Sequence, residues 1–171
     1  RWINMAQSPI QSLTAEAARE KFTLIFFLVF GDERRVYAAS IESFQFINGL
    51  REDLSAQKFI QQAQKILKKF KDKTKTEMFH EVEFLKSVHK KNQYMEKWNQ
   101  IRQQVDAEEL ALLIYIHQFG FSYQDVSQAL QLAEGTLRYR VRNLLILLAQ
   151  VTVGSRSGNL AGNFKVIKGS L

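Results

Sequence analysis

The chain contains no cysteine and a single proline, Pro9, in 171 residues. Without thiols it can build neither a disulfide framework nor a thiolate zinc site, and it suits a reducing cytoplasm, where it is expected to work. With the proline near the start, no ring closure interrupts helices further on. The three histidines, His80, His89 and His117, are too scattered for metal-ligand spacing, and Glu81 and Glu83 beside His80 read as a solvated helix face. There is no phosphate-cradling glycine loop and no G-x-S-x-G elbow. No catalytic residue, metal or cofactor is therefore expected, and the chain is not expected to be an enzyme. Long apolar runs are missing too. The longest, Phe22 to Phe30, falls far short of the roughly 20 residues a membrane span needs. A signal peptide would need a small-residue cleavage site after it, where Gly31-Asp32-Glu33-Arg34-Arg35 follows. The chain opens on Arg1 rather than Met, as a fragment or a sequence with added residues would.

Acid is the minority charge. Asp and Glu number 17 against 24 Lys and Arg, a net charge of +7 with an isoelectric point of about 9.7. That balance suits an acidic partner such as nucleic acid. A hydrophobic content of 46% is enough for one or two small folded domains. No internal repeat is visible.

The pattern predicts helices almost throughout. Thr14 is placed to cap a helix from about Ala15 to Phe30, ended by Gly31 and apolar nearly all round because it is central to a bundle. A second runs from about Glu33 to Ile47, with Val36, Ile41, Phe44 and Ile47 at helical spacing and Asn48-Gly49 as its stop. Ser55 is placed to cap a third. Phe59, Ala63, Ile66, Leu67 and Phe70 make one face of it, while Lys65, Lys68, Lys69, Lys71, Lys73 and Lys75 crowd the other side and the end. Those lysines suit the C-terminal end of a helix dipole. They fit either a contact with phosphate or an acidic protein surface, or a merely solvated face. From Glu77 to Gln104 an amphipathic stretch follows, with Met78, Val82, Leu85, Met95, Trp98, Ile101 and Val105 as its apolar side. Beyond Val153 the glycines and serines, with Arg156, Lys165 and Lys168, mark a flexible basic tail. Val151-Thr152-Val153 and Phe164-Lys165-Val166-Ile167 can pair as short strands.

The most informative segment lies between these regions. Asp106 with Glu109, and Ser122 with Asp125, make capping-box-like helix starts. Leu110, Leu113, Ile114 and His117 are placed inward on the first of these helices, with Gly120 closing it. Val126, Ala129 and Leu130 are placed inward on the second. On the third, at about 100° per residue, Leu137, Val141, Leu144, Leu145 and Leu148 share a face that must be buried. Gly135, Tyr139, Arg142 and Asn143 lie opposite, and Arg138 and Arg140 flank them. The three helices are expected to enclose a small core of their own. Two short helices, a tight turn and basic residues on the second make the layout of a DNA-binding helix-turn-helix. A helix fits the major groove with its N-terminal residues nearest the base edges, and its free N–H groups suit phosphate.

Phe119-Gly120-Phe121-Ser122-Tyr123-Gln124-Asp125-Val126 and Glu134-Gly135-Thr136-Leu137-Arg138-Tyr139-Arg140 resemble the fourth conserved region of bacterial RNA polymerase sigma factors of the extracytoplasmic-function type. The family pattern is G-[LF]-S-Y-x-E-I-A followed by G-T-[VL]-[KR]-S-R, and the match covers about Asp106 to Gln150. Ala18 to Ile47 is more distantly similar to the start of that family's second region, with Gly31-Asp32 at the turn and Glu42-Ser43-Phe44 where that family often has E-x-F. The family's promoter-melting residues, a Trp-Leu pair and a later Arg and Asn, have no counterpart. The resemblance implies promoter recognition on double-stranded DNA, docking on RNA polymerase core, and an anti-sigma protein as a further partner. Three positions depart from the pattern. Gln131 stands where the inter-helix turn usually has Gly, Ala133 where a capping Ser or Thr is usual, and Tyr139 where the family has a small Ser.

The resulting expectation is an all-α protein. Residues 1–104 form an N-terminal helical domain, a reduced sigma region two with a helical linker; 105–153 form a helix-turn-helix domain; 154–171 form the tail. Thr136, Tyr139, Arg142 and Asn143 are expected at base edges or sugars, and Arg138 and Arg140 on the backbone. Ser122, Tyr123 and Gly135 complete the expected DNA contacts. The competing expectation is a sigma-like adaptor or regulator that binds proteins without reading a promoter.

Overall fold

Nearly every element that the computed structural model describes, over residues 12–71 and 93–153, is a helix. Helix α1 (Ala15–Phe30) starts where Thr14 Oγ1 accepts from the Ala17 amide at 3.3 Å, giving one first-turn donor a partner that the helix cannot supply. It ends at Gly31, whose φ of +63° lies in the left-handed region. The Arg102 guanidinium, the end of a flexible side chain, lies where a Cβ would stand, and it is the left-handed conformation that favours glycine here. Helix α2 (Glu33–Asn48) starts at Asp32. One carboxylate oxygen accepts from the Arg34 amide at 3.0 Å, and the other from Arg35 Nε at 2.8 Å. Ahead of α3 (Ala56–Lys71), Ser55 Oγ accepts from the Lys58 amide at 3.3 Å.

A small antiparallel bridge joins β1 (Ser12–Leu13) to β2 (Leu54–Ser55), with Ser12 opposite Ser55 and Leu13 opposite Leu54. It ties the entry to α1 to the entry to α3. The architecture is all-α apart from this pair, which is too short for any alternation to announce it.

The second part of the chain supplies α4 (Gln93–Gln104), α5 (Ala107–Leu113) with a π-helical continuation over Ile114–Gln118, α6 (Tyr123–Leu130) and α7 (Glu134–Val153). Helix α4 docks on the C-terminal end of α1. Trp98 Nε1 donates to the Leu28 carbonyl at 2.7 Å, a last-turn group of the kind a helix end leaves without an internal partner, and Arg102 Nη1 donates at 3.4 Å to that of Phe27, which also accepts the Gly31 amide. Next to Trp98 in α4, Lys97 Nζ donates to the Thr152 carbonyl at 2.6 Å, a cation on the negative end of α7.

The core is one continuous set of buried side chains from Leu13 to Leu144. Its centre is aromatic. Phe22 and Phe59 lie 4.2 Å apart, and Phe59 meets Phe119 at 5.9 Å and Phe121 at 5.7 Å. Each such ring, once buried, contributes roughly 1.5–3 kcal/mol. Helices α5, α6 and α7 therefore share α3's core rather than enclosing a separate one. The cause lies in Phe119 and Phe121, two loop aromatics on either side of Gly120 that turn onto α3 and carry no helical period to reveal it.

Several expected placements are corrected. The backbone bond from Phe119 N–H to Ile114 O at 2.9 Å belongs to a π turn, and this wider turn shifts the register so that His117 faces solvent. Asp106 has N-cap geometry without a side-chain cap bond. Ile41 is 40% exposed, because α2 meets its neighbours through Ala39, Ser40, Ser43 and Ile47 on another side. Leu145 is 38% exposed, at the rim of a stripe whose centre is Leu137, Val141 and Leu144. Val151–Val153 form the last turn of α7 and no strand. The expected partner segment 164–167 lies outside the described residues, as do Met78, Val82, Leu85, the Met95 side chain, Lys73, Lys75, His80, Glu81, Glu83, His89 and the tail from 154. No described helix is long and apolar enough to cross a membrane.

Candidate nucleic-acid interface

Ser122 starts α6 by the bonds its spacing predicts. Its Oγ accepts from the Asp125 amide at 3.0 Å and donates to Asp125 Oδ2 at 2.6 Å, so the carboxylate holds the capping hydroxyl instead of returning to the Ser122 backbone amide as in a capping box. The helix closes at Gln131, the one described non-glycine residue with positive φ, at φ +55° and ψ +37°. The Leu132 amide bonds Ser127 O at 2.9 Å and the Gln131 amide bonds Gln128 O at 3.3 Å. That pairing makes a Schellman end, in which a left-handed residue satisfies two last-turn carbonyls. The turn keeps the geometry that glycine would serve and places glutamine in it.

Helix α7 follows at once, with Ala133 accepting only through its carbonyl, from Leu137 N–H at 3.0 Å. Its inward stripe is sealed, with Leu137 fully buried and Val141 at 1% exposure. Its outward stripe is open. Glu134, Gly135, Thr136, Arg138 and Arg142 are exposed and Tyr139 is 64% exposed, while Asn143 is half-buried on the flank. A Cβ built on Gly135 meets nothing within 4 Å, so nothing in the protein's own packing calls for glycine there.

The charges are arranged less simply. Arg138 donates from Nε at 2.9 Å and Nη2 at 2.6 Å to Glu134 Oε1, and its guanidinium lies 4.2 Å from the Tyr123 ring centre. This cation–π contact ties the start of α6 to the first turns of α7. Arg140 turns away from that face and donates from Nη1 to Glu109 Oε1 on α5 at 3.0 Å. Burial raises the Glu109 pKa, Arg140 beside it lowers it by less, and Asp106 and Glu108 add to the rise. Arg142 has no hydrogen bond or ion pair among the described residues.

Of the nine expected contact residues, the structure gathers Ser122, Tyr123, Gly135, Thr136, Arg138, Tyr139 and Arg142 on or beside one exposed end, leaves Asn143 at its edge and directs Arg140 elsewhere. The Glu134–Arg138 pair is a legible i,i+4 spacing. Glu109 as Arg140's partner is 31 residues away and carries no sequence signal. Among the described residues no group of His, Asp or Glu could hold a metal ion. Comparison with protein-family models, curated proteins and solved structures finds no match.

Proposed function

We propose that the chain is a sequence-specific DNA-binding transcription factor similar to a sigma factor. Its α6–α7 pair acts as a helix-turn-helix that recognises a promoter element, and its N-terminal helices engage RNA polymerase. The observation that carries this reading is the outward face of α7. Its first turns are open where the groove-facing end of a recognition helix must be open, and Gly135 lets a backbone come close where the protein's own packing does not need it. Thr136, Tyr139 and Arg142 then face base edges, with Arg138 on phosphate.

Selection of preferred duplexes from a random pool tests the reading directly. A preferred site is expected, with affinity that falls steeply as salt rises. Arg142→Ala should cost about 1–3 kcal/mol at one base position.

A second reading, a sigma-like adaptor that binds polymerase without promoter readout, draws on the ion pairs that neutralise Arg138 and Arg140. It predicts weak, sequence-indifferent binding together with retention of polymerase core. A random-pool selection that enriches no sequence, alongside such retention, would favour it.

A further inference from the structure

We infer that the lysine ridge of α3 is a second nucleic-acid contact, one that continues the α6–α7 surface and grips the phosphate backbone of the same duplex beside the recognised element. The inference rests on the DNA-binding reading above and extends it to a part of the molecule that the reading leaves idle.

Between Ala56 and Lys71 there are five lysines and no carboxylate. Placed at about 100° per residue, Phe59, Ala63, Ile66 and Phe70 centre on the inward side, and Lys58, Gln61, Lys65 and Lys68 on the outward one. All four outward residues are exposed. Two other lysines are already engaged by carboxylates from neighbouring elements. Lys69 lies 2.5 Å from Glu42, and Lys71 lies 3.4 Å from Glu108. Lys58, Lys65 and Lys68 have no ion pair among the described residues. A surface built only for solubility mixes both signs, whereas this one is cationic along its length.

Its position decides what it serves. Gln57 Nε2 donates to Gln128 Oε1 at 2.6 Å, so the first turn of α3 adjoins the outward side of α6 at the surface. Tyr123, at the other end of α6, carries the Arg138 guanidinium. The Gln57–Gln128 bond therefore sets Lys58 beside the last turn of α6, the helix whose first residue meets Arg138. From Lys58 to Lys68 the helix rises about 15 Å, roughly four phosphate spacings of one strand at 3.4 Å. Amides that donate to phosphate oxygens, followed by ammonium groups acting as point charges, are the chemistry of backbone positioning without base readout.

The full chain is compared with a variant carrying Lys58→Gln, Lys65→Gln and Lys68→Gln, and with one carrying arginine at the same three positions. The probes are the duplex that the wild type selects from a random pool and, alongside it, a mixed-sequence duplex of the same length. The glutamine variant should keep the selected sequence, and its log–log salt slope should be shallower by about 2 to 3. That makes its loss of affinity between about 50 and 200 mM salt roughly 40-fold smaller than the wild type's. Its protected length should shorten by about four base pairs on one side only, and arginine should restore both. Thermal unfolding confirms that exchanging exposed lysines leaves the fold in place. A preferred site with wild-type slope and length in the glutamine variant overturns the ridge and leaves the recognition reading standing. A wild type without sequence preference, whose salt slope still falls in the glutamine variant, overturns the recognition reading and keeps the ridge. No binding by the wild type overturns both.

Discussion

Arg140 on the second turn of α7 donates to Glu109 on α5 at 3.0 Å, so a cation expected on the DNA backbone is held by a carboxylate of its own molecule. Burial raises that carboxyl's pKa despite the arginine. The folded chain thus binds this proton more tightly than the unfolded one. The resulting stabilisation is full below the ordinary carboxylate pKa and is lost as pH rises through the raised value. Glu109→Gln should remove that dependence and change stability at neutral pH by no more than about 1 kcal/mol, the range of a partly exposed pair. Freed from the charge, Arg140 should steepen the salt slope of DNA binding by about 0.9. Urea unfolding across the acid range and DNA titrations across salt measure the two effects separately.

Gln131 holds a left-handed conformation that a side chain makes unfavourable by roughly 1–2 kcal/mol. Gln131→Gly should stabilise the fold by about 1 kcal/mol, since glycine adopts that conformation without strain but loses more chain entropy on folding. The expected result is a higher urea midpoint at unchanged m-value.

Gly135 separates stability from binding. In the first turn of α7 with open space around it, Gly135→Ala should stabilise the protein by up to about 1 kcal/mol through helix propensity. If DNA approaches the backbone there, the same change should weaken binding about tenfold, or 1.4 kcal/mol. Unfolding and binding measured on one preparation should therefore move in opposite directions. Unchanged or tighter binding would remove Gly135 from the interface.

Tyr115 sits in the π turn, wholly buried, with its hydroxyl lacking a hydrogen-bond partner of normal geometry. Burial pushes its pKa far above the usual phenol range, and the Gln64 side chain lowers it by less. Tyr115→Phe removes an unsatisfied polar group and should leave the protein as stable or up to about 1 kcal/mol more stable. The unfolded phenol ionises near pH 10 while the folded one stays neutral, so the wild type loses stability above about pH 10. The phenylalanine variant should lack that alkaline loss, which calorimetry at neutral and alkaline pH would show.

Local signals placed most helix starts and ends. Thr14, Ser55 and Ser122 cap where their spacing to the first amides predicts, and Gly31 and Gly120 end or follow helices with positive φ. These features depend on a few consecutive residues, and adjacent side chains determine them. The face of α7 was legible for the same reason, since periodicity alone separates Leu137 and Val141 from Tyr139 and Arg142. Leu145 and Ile41 were misplaced because periodicity cannot say how wide a buried stripe is. That width depends on how closely a neighbouring element approaches.

By itself the sequence determined the helical class, the caps at Thr14, Ser55 and Ser122, and the sealed inner stripe of α7; that Gln131 takes the left-handed turn was decided by the structure. Only the tertiary structure decided that Phe119 and Phe121 fold onto Phe59, that Glu109 holds Arg140, and that Gln57 meets Gln128 so that α3's lysines flank α6. The physical reason is distance along the chain. Caps and periodicity act within one or two turns, whereas packing and ion pairing join residues 31 to 71 positions apart, whose meeting depends on the whole fold.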